Sequence, residues 1–181
     1  MSESAGALRL PIEPYEVTGY AFGQRVRSRK ILWARHLGDD ILAEPGTKVV
    51  CIGDGKVVWS EMRLGTNEKR NWGGVIIVEH TNSETGLVFY SVYGHITNLA
   101  VSQGAQVAVG DHIGDVAPGS TPENGWWKLP HLHFGIYTGP WMQKVLPGYA
   151  RPFEGRTKFS WWENPKSFIE AFNQVLLNTL S

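Results

Sequence analysis

The residues best suited to chemistry in this chain are its histidines, of which there are six. Imidazole is the commonest metal ligand among side chains and the one that changes charge near neutral pH. Three local settings suggest more than packing. In Arg35-His36-Leu37-Gly38-Asp39-Asp40, His36 and Asp40 stand four apart. Helical and extended chains both put such a pair on one side, so the spacing alone leaves the element open. Gly38 permits a tight bend between them, which argues against a helix. Taken alone, the segment also reads as a polar turn leading into Ile41, Leu42 and Ala43. In Pro130-His131-Leu132-His133-Phe134, histidines alternate with apolar residues. On a strand His131 and His133 face one side, and Leu132 and Phe134 the other. That pair suits cation binding, or else two surface histidines on an edge strand. The third setting is Tyr93-Gly94-His95, where His95 follows an apolar run and a glycine and is placed to project into a cleft. His80 and His112 stand apart from these groups and read as structural. Cys51, the single cysteine, lies in the apolar run Val49–Ile52 and reads as a buried strand residue. One thiol forms no internal disulfide, so cysteine use does not fix the compartment.

The elements that must position these groups are mostly strands. Short β-branched runs bounded by turn residues fall at Lys48–Ile52, Gly55–Ser60, Gly74–His80, Leu87–Gly94, Gln106–Val109 and His131–Tyr137. Gly53–Gly55, Asn82–Gly86, Val109–Asp111 and Pro118-Gly119 punctuate them. Runs this short, separated by turns of two to five residues, favour antiparallel pairing over strand–helix–strand units. One segment reads as a helix, about Pro165–Leu177. Asn164 supplies a cap and Pro165 a first-turn residue. Phe168, Ile169, Phe172, Val175 and Leu176 then recur at helical spacing. Residues 1–20 contain no clear element, and Tyr137–Trp162 reads as irregular. The expected fold is therefore mainly β, an antiparallel sheet with short hairpins and a C-terminal α-helix.

Composition bounds the function classes. A length of 181 residues suits one domain with a real core. Hydrophobic residues at 42% and charged residues at 19% exclude a disordered chain. With zero formal net charge, nothing demands nucleic acid or an anionic membrane as partner. The short basic cluster Arg25–Lys30 reads as a solvated face or loop. No stretch has the roughly 20 apolar residues of a membrane span. The first 17 residues lack a basic stretch followed by an apolar core, so no signal peptide is read there, and export by another route and residence in the cytoplasm both stay open. A monomer is expected.

Taken together and in order, the histidine segments resemble the lysostaphin/LytM-type zinc endopeptidases of bacterial cell walls. That family carries an H-x-x-x-D segment, present here as HLGDDI from His36 to Ile41. An apolar–Pro–Gly–Thr segment and a short hairpin follow, here LAEPGTKV at Leu42–Val49 and GDGKVV at Gly53–Val58. A Y-x-H is matched by Tyr93-Gly94-His95, and an H-x-H before Phe by His131–Phe134. Between them, Val101–Gly114 looks like the family's glycine-punctuated hairpin. The matching stretch runs from about Trp33 to Tyr137. Two departures stand out: the loop before His131 is enlarged by Thr121–Pro130, and the export signal is missing.

The resemblance implies one catalytic Zn2+ held by His36, Asp40 and His133. Two imidazoles and one carboxylate leave a fourth position open for water, as a catalytic zinc requires. His131 and His95 would be the assisting pair: His131 as the base that takes the water's proton, His95 as oxyanion stabiliser or second proton carrier. Asp39 reads as a solvated carboxylate, with a minor possibility of supporting a ligand imidazole. The implied partner is a peptidoglycan or cell-wall peptide, cleaved in its stems or cross-bridges, and the implied location is extracellular or periplasmic. Trp126 and Trp127, beside the His131 strand, could grip it. The implied division is an N-terminal extension over residues 1–30, a zinc peptidase core over 31–140, and a C-terminal extension over 141–181 packed on the same domain. Three alternatives stay open: an inactive relative acting as a binding or regulatory module, a zinc hydrolase of a non-wall peptide, and a lipoyl-type carrier, for which Lys56 is poorly placed.

Overall fold

A computed structural model of the chain describes residues 6–28, 31–151 and 155–179. Arg29 and Lys30 of the basic cluster, and with them the expected boundary at residue 30, lie outside the described residues. The strands are β1 (Arg25–Ser28), β2 (Ile31–His36), β3 (Asp39–Leu42), β4 (Lys48–Val50), β5 (Gly55–Arg63), β6 (Gly73–Thr81), β7 (Val88–Thr97), β8 (Gln106–Val107), β9 (His112–Val116), β10 (His131–Tyr137), β11 (Tyr149–Ala150) and β12 (Trp162–Glu163). One helix, α1 (Pro165–Thr179), follows. Nine strands form one sheet, whose main path runs β12-β10-β7-β6-β5-β8. Off this path, β3 pairs with β10, and β9 joins β4 to β7. A separate three-stranded sheet runs β1-β2-β11. Every pairing is antiparallel.

The long central strands β6, β7 and β10 are buried along almost their whole length. Alternation along them therefore feeds two apolar layers instead of one. One layer holds Ile76, Val78, Phe89, Tyr93, Leu132 and Phe134, and α1 closes it with Ile169 and Phe172. The other holds Val75, Ile77, Val92, Tyr137, Leu146 and Trp162. The helix begins where the sequence indicates: the Asn164 side chain accepts the Ser167 N–H at 3.0 Å. It continues two residues past the expected end, to Thr179.

Six strands escape sequence reading: β1, β2, β3, β9, β11 and β12. They are two to six residues long, and periodicity does not develop over so few positions. β10 has the bounds expected of it. β7 runs three residues beyond Gly94, so His95 lies inside the strand and not past its end. In the N-terminal segment, Leu8 and Ile12 join the core, and both backbone groups of Leu8 bond the Asn173 side chain on α1.

Candidate metal centre and cleft

Cross-strand register assembles most of the site. Asp40 on β3 is the direct partner of His133 on β10, and His133 is the direct partner of Gly94 on β7. Direct partners present their side chains on the same face a few ångströms apart. Asp40 and His133, 93 residues apart in sequence, therefore meet: His133 Nδ1 lies 3.0 Å from Asp40 Oδ1. His36 ends β2 and enters from the small sheet, its Nε2 3.2 Å from the same oxygen. The His36 approach is close but misaligned, so neither of its buried ring nitrogens has a hydrogen-bond partner. Gly38 lets this happen by size and not by an unusual φ. A Cβ there would stand 2.4 Å from the Phe134 carbonyl oxygen and 2.8 Å from His133 Nε2.

His36, Asp40 and His133 offer three ligand atoms within 4.8 Å of one another. Ligands about 2.0–2.1 Å from a tetrahedral zinc stand about 3.3 Å apart, close to the 3.2 and 3.0 Å separations at Asp40. A fully buried imidazole with both nitrogens unpartnered is costly unless a further group satisfies it. The donor set and the orphaned nitrogens thus fit a divalent ion of zinc's preferences. Burial alone pushes the Asp40 carboxyl up, but hydrogen bonds and charge from His133 and His36 more than reverse this and hold it well below the usual carboxylate range. Burial likewise lowers the pKa of His133, against the pull of Asp40, so it stays neutral and able to ligate.

Beside this cluster lie His131 and His95, with ring centroids 4.5 Å apart. His131 shares its face of β10 with His133, and its Nε2 is 3.9 Å from Asp40 Oδ1. Its Nδ1 bonds the Leu129 carbonyl at 2.9 Å, and His95 Nδ1 bonds the Asn124 carbonyl at 3.0 Å. A carbonyl only accepts, so in each ring Nδ1 carries a proton, and in the neutral form Nε2 keeps its lone pair. His95 reaches this position through a bulge. Gly94 pairs with Val75 and Ile96 with Gly74, which leaves His95 as the extra residue, at φ 62°. Burial, with the neighbouring His131 and His133, holds its pKa well below the ordinary value.

The cluster opens on a cleft of about 700 Å3, walled by Tyr20, Trp72, Trp127 and Tyr149 and reaching His95 and His133. Sequence reading anticipated only Trp127 among these aromatics; Trp126 is not a wall residue. Trp72 escaped because its neighbours, Asn71 and Gly73, signal only a turn. It packs over Gly94, where a Cβ would come within 2.3 Å of the ring, and meets His133 edge-on with ring centroids 5.0 Å apart. Tyr20 and Tyr149 flank His36 at 5.8 and 5.2 Å.

Asp39 departs from expectation. It is buried at 3% exposure, not solvated, and it supports no ligand imidazole. Its two oxygens accept the Tyr15 hydroxyl at 2.7 Å and the Phe22 N–H at 2.9 Å. Gly19 and Tyr20 bond the backbone of Asp40, so residues 15–22 run along the free edge of β3. Cys51 is buried, with burial pushing its thiol up to about 11. His80 is buried between the Asp54 carbonyl and the Ser91 hydroxyl, while His112 is exposed and pairs with Asp115.

The antiparallel sheet thus brings two imidazoles and a carboxylate together beside an aromatic cleft, next to two further histidines, an arrangement of the metallopeptidase class. A profile of Peptidase family M23 matches residues 34–145, and the chain belongs to that family. Its fold is similar to the catalytic domain of the antimicrobial peptidase lysostaphin from Staphylococcus simulans, at 24% identity and a TM-score of 0.54, over 84% of this chain and 90% of that one. A zinc-containing peptidase from Vibrio cholerae is similar at 23% identity and a TM-score of 0.56, over 73% of this chain; the chain spans 37% of that longer protein. The catalytic domain of the prophage-encoded M23 protein EnpA from Enterococcus faecalis, studied as a mutant, is similar at 20% identity and a TM-score of 0.50, over 82% and 98%. No curated protein sequence matches the chain. No helix among the described residues is long and apolar enough to cross a membrane.

Proposed function

We propose that this chain is a zinc-dependent endopeptidase that cleaves peptide bonds in peptidoglycan stems or cross-bridges. His36, Asp40 and His133 hold the metal, and His131 and His95 carry the proton. One observation bears most of this reading: two imidazole nitrogens converge on one ionised carboxylate oxygen beside an open cleft that His133 lines. Bound there, zinc would acidify a water and polarise a carbonyl.

The protein's own contribution is to position bases. His131 Nε2, turned toward the metal cluster, accepts the proton of the attacking water. It then returns that proton to the nitrogen of the departing amine, so the proton count balances. Burial keeps His95 neutral with Nε2 open, so it stabilises an oxyanion only after taking up a proton. That makes His131 the first acceptor and His95 its partner. Trp72 packs on His95, and Trp127 meets both His95 and His131, which shields the two imidazoles. The aromatic walls suit a peptide lying along the cleft.

Metal analysis of the purified protein should find about one zinc per chain, and added zinc should raise the melting temperature of stripped protein. Digestion of peptidoglycans of different cross-bridge chemistry, followed by mass analysis, should show new amine and carboxyl ends. A protein that stays metal-free with zinc supplied would sink the metal assignment. One that binds zinc but cuts no wall peptide would favour an inactive binding module or a non-wall substrate.

A further inference from the structure

The two assisting histidines leave one need of the chemistry unmet. When a nucleophile adds to a peptide carbonyl, negative charge gathers on the carbonyl oxygen, and a hydrogen-bond donor aimed at that oxygen lowers the barrier. His131 and His95 direct Nδ1 at the Leu129 and Asn124 carbonyls, so in the neutral form neither ring has a proton left to offer. A donor has to come from another part of the wall.

Tyr149 meets the requirement. β11 lies against β2 with Tyr149 as the direct partner of His36, so the two side chains share a face. Their ring centroids are 5.2 Å apart. Ring contacts then run from His36 to His133 at 4.7 Å, from His133 to His95 at 6.2 Å and from His95 to His131 at 4.5 Å. Tyr149 thus begins a series in which the ligand imidazoles stand in the middle and the proton-carrying pair at the far end. The half-buried phenol walls the cleft. Burial and the Asp40 charge raise its pKa from an ordinary value near 10, against the pull of Arg70. The phenol therefore keeps its proton at neutral pH, with its oxygen in range of both charges. Its segment is fixed on two sides: the Gly148 carbonyl accepts the Leu37 N–H at 3.0 Å, and the Leu146 carbonyl accepts the Trp72 indole N–H at 3.1 Å. Gly148 keeps it close to the site, since a Cβ there would stand 3.2 Å from the Trp72 ring. Tyr20, the other phenol beside His36, is more exposed, at 40%.

We propose that the Tyr149 hydroxyl donates a hydrogen bond to the oxygen of the scissile carbonyl, which makes Tyr149 a catalytic residue. The bond strengthens as that oxygen gains charge. The phenol keeps its proton throughout, so proton transfer stays with His131 and His95. The family profile ends at residue 145, short of Tyr149. This role rests on the peptidase reading above.

The test compares the full chain with Tyr149→Phe, both loaded with zinc. The probe is acetohydroxamate, a small anion that offers a metal a carbonyl oxygen. Its binding is read by isothermal titration calorimetry, and zinc affinity by competition with a chromophoric chelator. Tyr149→Phe keeps the ring on His36, so it should hold zinc as tightly as the native chain and melt at the same temperature. It should bind acetohydroxamate about tenfold more weakly, as expected for one lost hydrogen bond to a charged group. On peptidoglycan its kcat should fall about 10²–10³-fold at an unchanged KM. Equal acetohydroxamate affinity in the two proteins overturns the donor. Weaker zinc binding in Tyr149→Phe also overturns it, and makes the phenol a support for His36. A rise in KM at an unchanged kcat overturns it too, and makes the phenol a contact to a remote part of the substrate. Acetohydroxamate binding is read without cleavage. A native chain that shows the tenfold difference yet cuts no wall peptide counts against the peptidase reading alone, and a chain that cuts as fast without the phenol counts against the donor alone.

Discussion

His131 and His133 sit two residues apart on one strand face, yet their partners differ. His133 directs Nδ1 at Asp40, while His131 commits Nδ1 to the Leu129 carbonyl and turns Nε2 toward Asp40, which suits the first to hold a metal and the second to move a proton as proposed. His131→Ala should therefore lower kcat by about 10²–10⁴-fold with zinc still bound. His95→Ala should do the same to a lesser degree. Parallel metal analysis checks both, since loss of zinc in His131→Ala would make that residue a ligand. Gly38 is the other decisive single residue. Gly38→Ala forces a methyl against the Phe134 carbonyl and the His133 ring. It should cost about 1–3 kcal/mol and weaken zinc binding with it. Urea unfolding that matches the native protein would show that the backbone yields there.

At the scale of elements, the site depends on strands too short to stand alone. β3 has four residues, and it is held by β10 on one edge and by residues 15–22 on the other. Asp39 anchors the second edge through Tyr15 and Phe22. Tyr15→Phe removes one of the two bonds to a buried carboxylate, which should destabilise the protein by about 1–3 kcal/mol. Denaturant unfolding of the two proteins measures this, and an unchanged midpoint would mean that the segment does not brace β3. The bulge at His95 is the matching device on β7. It places one imidazole at a φ that non-glycine residues seldom adopt, a conformation found most often at functional sites.

For the whole molecule, two apolar layers around the central strands supply the rigidity that fixes five side chains from four strands. His80 belongs to that core and reports on it. Burial holds its pKa down at about 4, against an ordinary value of 6.5. Between these values the unfolded chain binds a proton that the folded one refuses, so acid favours unfolding. The stability His80 contributes is complete above about pH 6.5 and falls as pH drops toward 4, by up to a few kcal/mol. The urea midpoint of the native protein should fall across that window, and His80→Gln should flatten the decline. Parallel slopes for the two proteins would mean that His80 takes up its proton in the folded state as readily as in the unfolded one.

Some of this is written locally in the chain. Alternation of His131, Leu132, His133 and Phe134 fixes β10 to the residue, because a period of two is legible within seven positions. Asn164 and Pro165 fix the start of α1 through a cap that needs only its own turn. The residue types of the metal cluster and the order of its segments were also legible, and with them the family. The tertiary structure decided the rest, because it depends on register between distant strands. Asp40 meets His133 only through β3–β10 pairing, and Trp72 reaches the histidines only across Gly94. Asp39 turned inward because residues 15–22 came to meet it, and Arg25 faces Arg35 because β1 and β2 pair. No local pattern encodes such partners, since each is set by which strand lies alongside and by how many residues it is shifted.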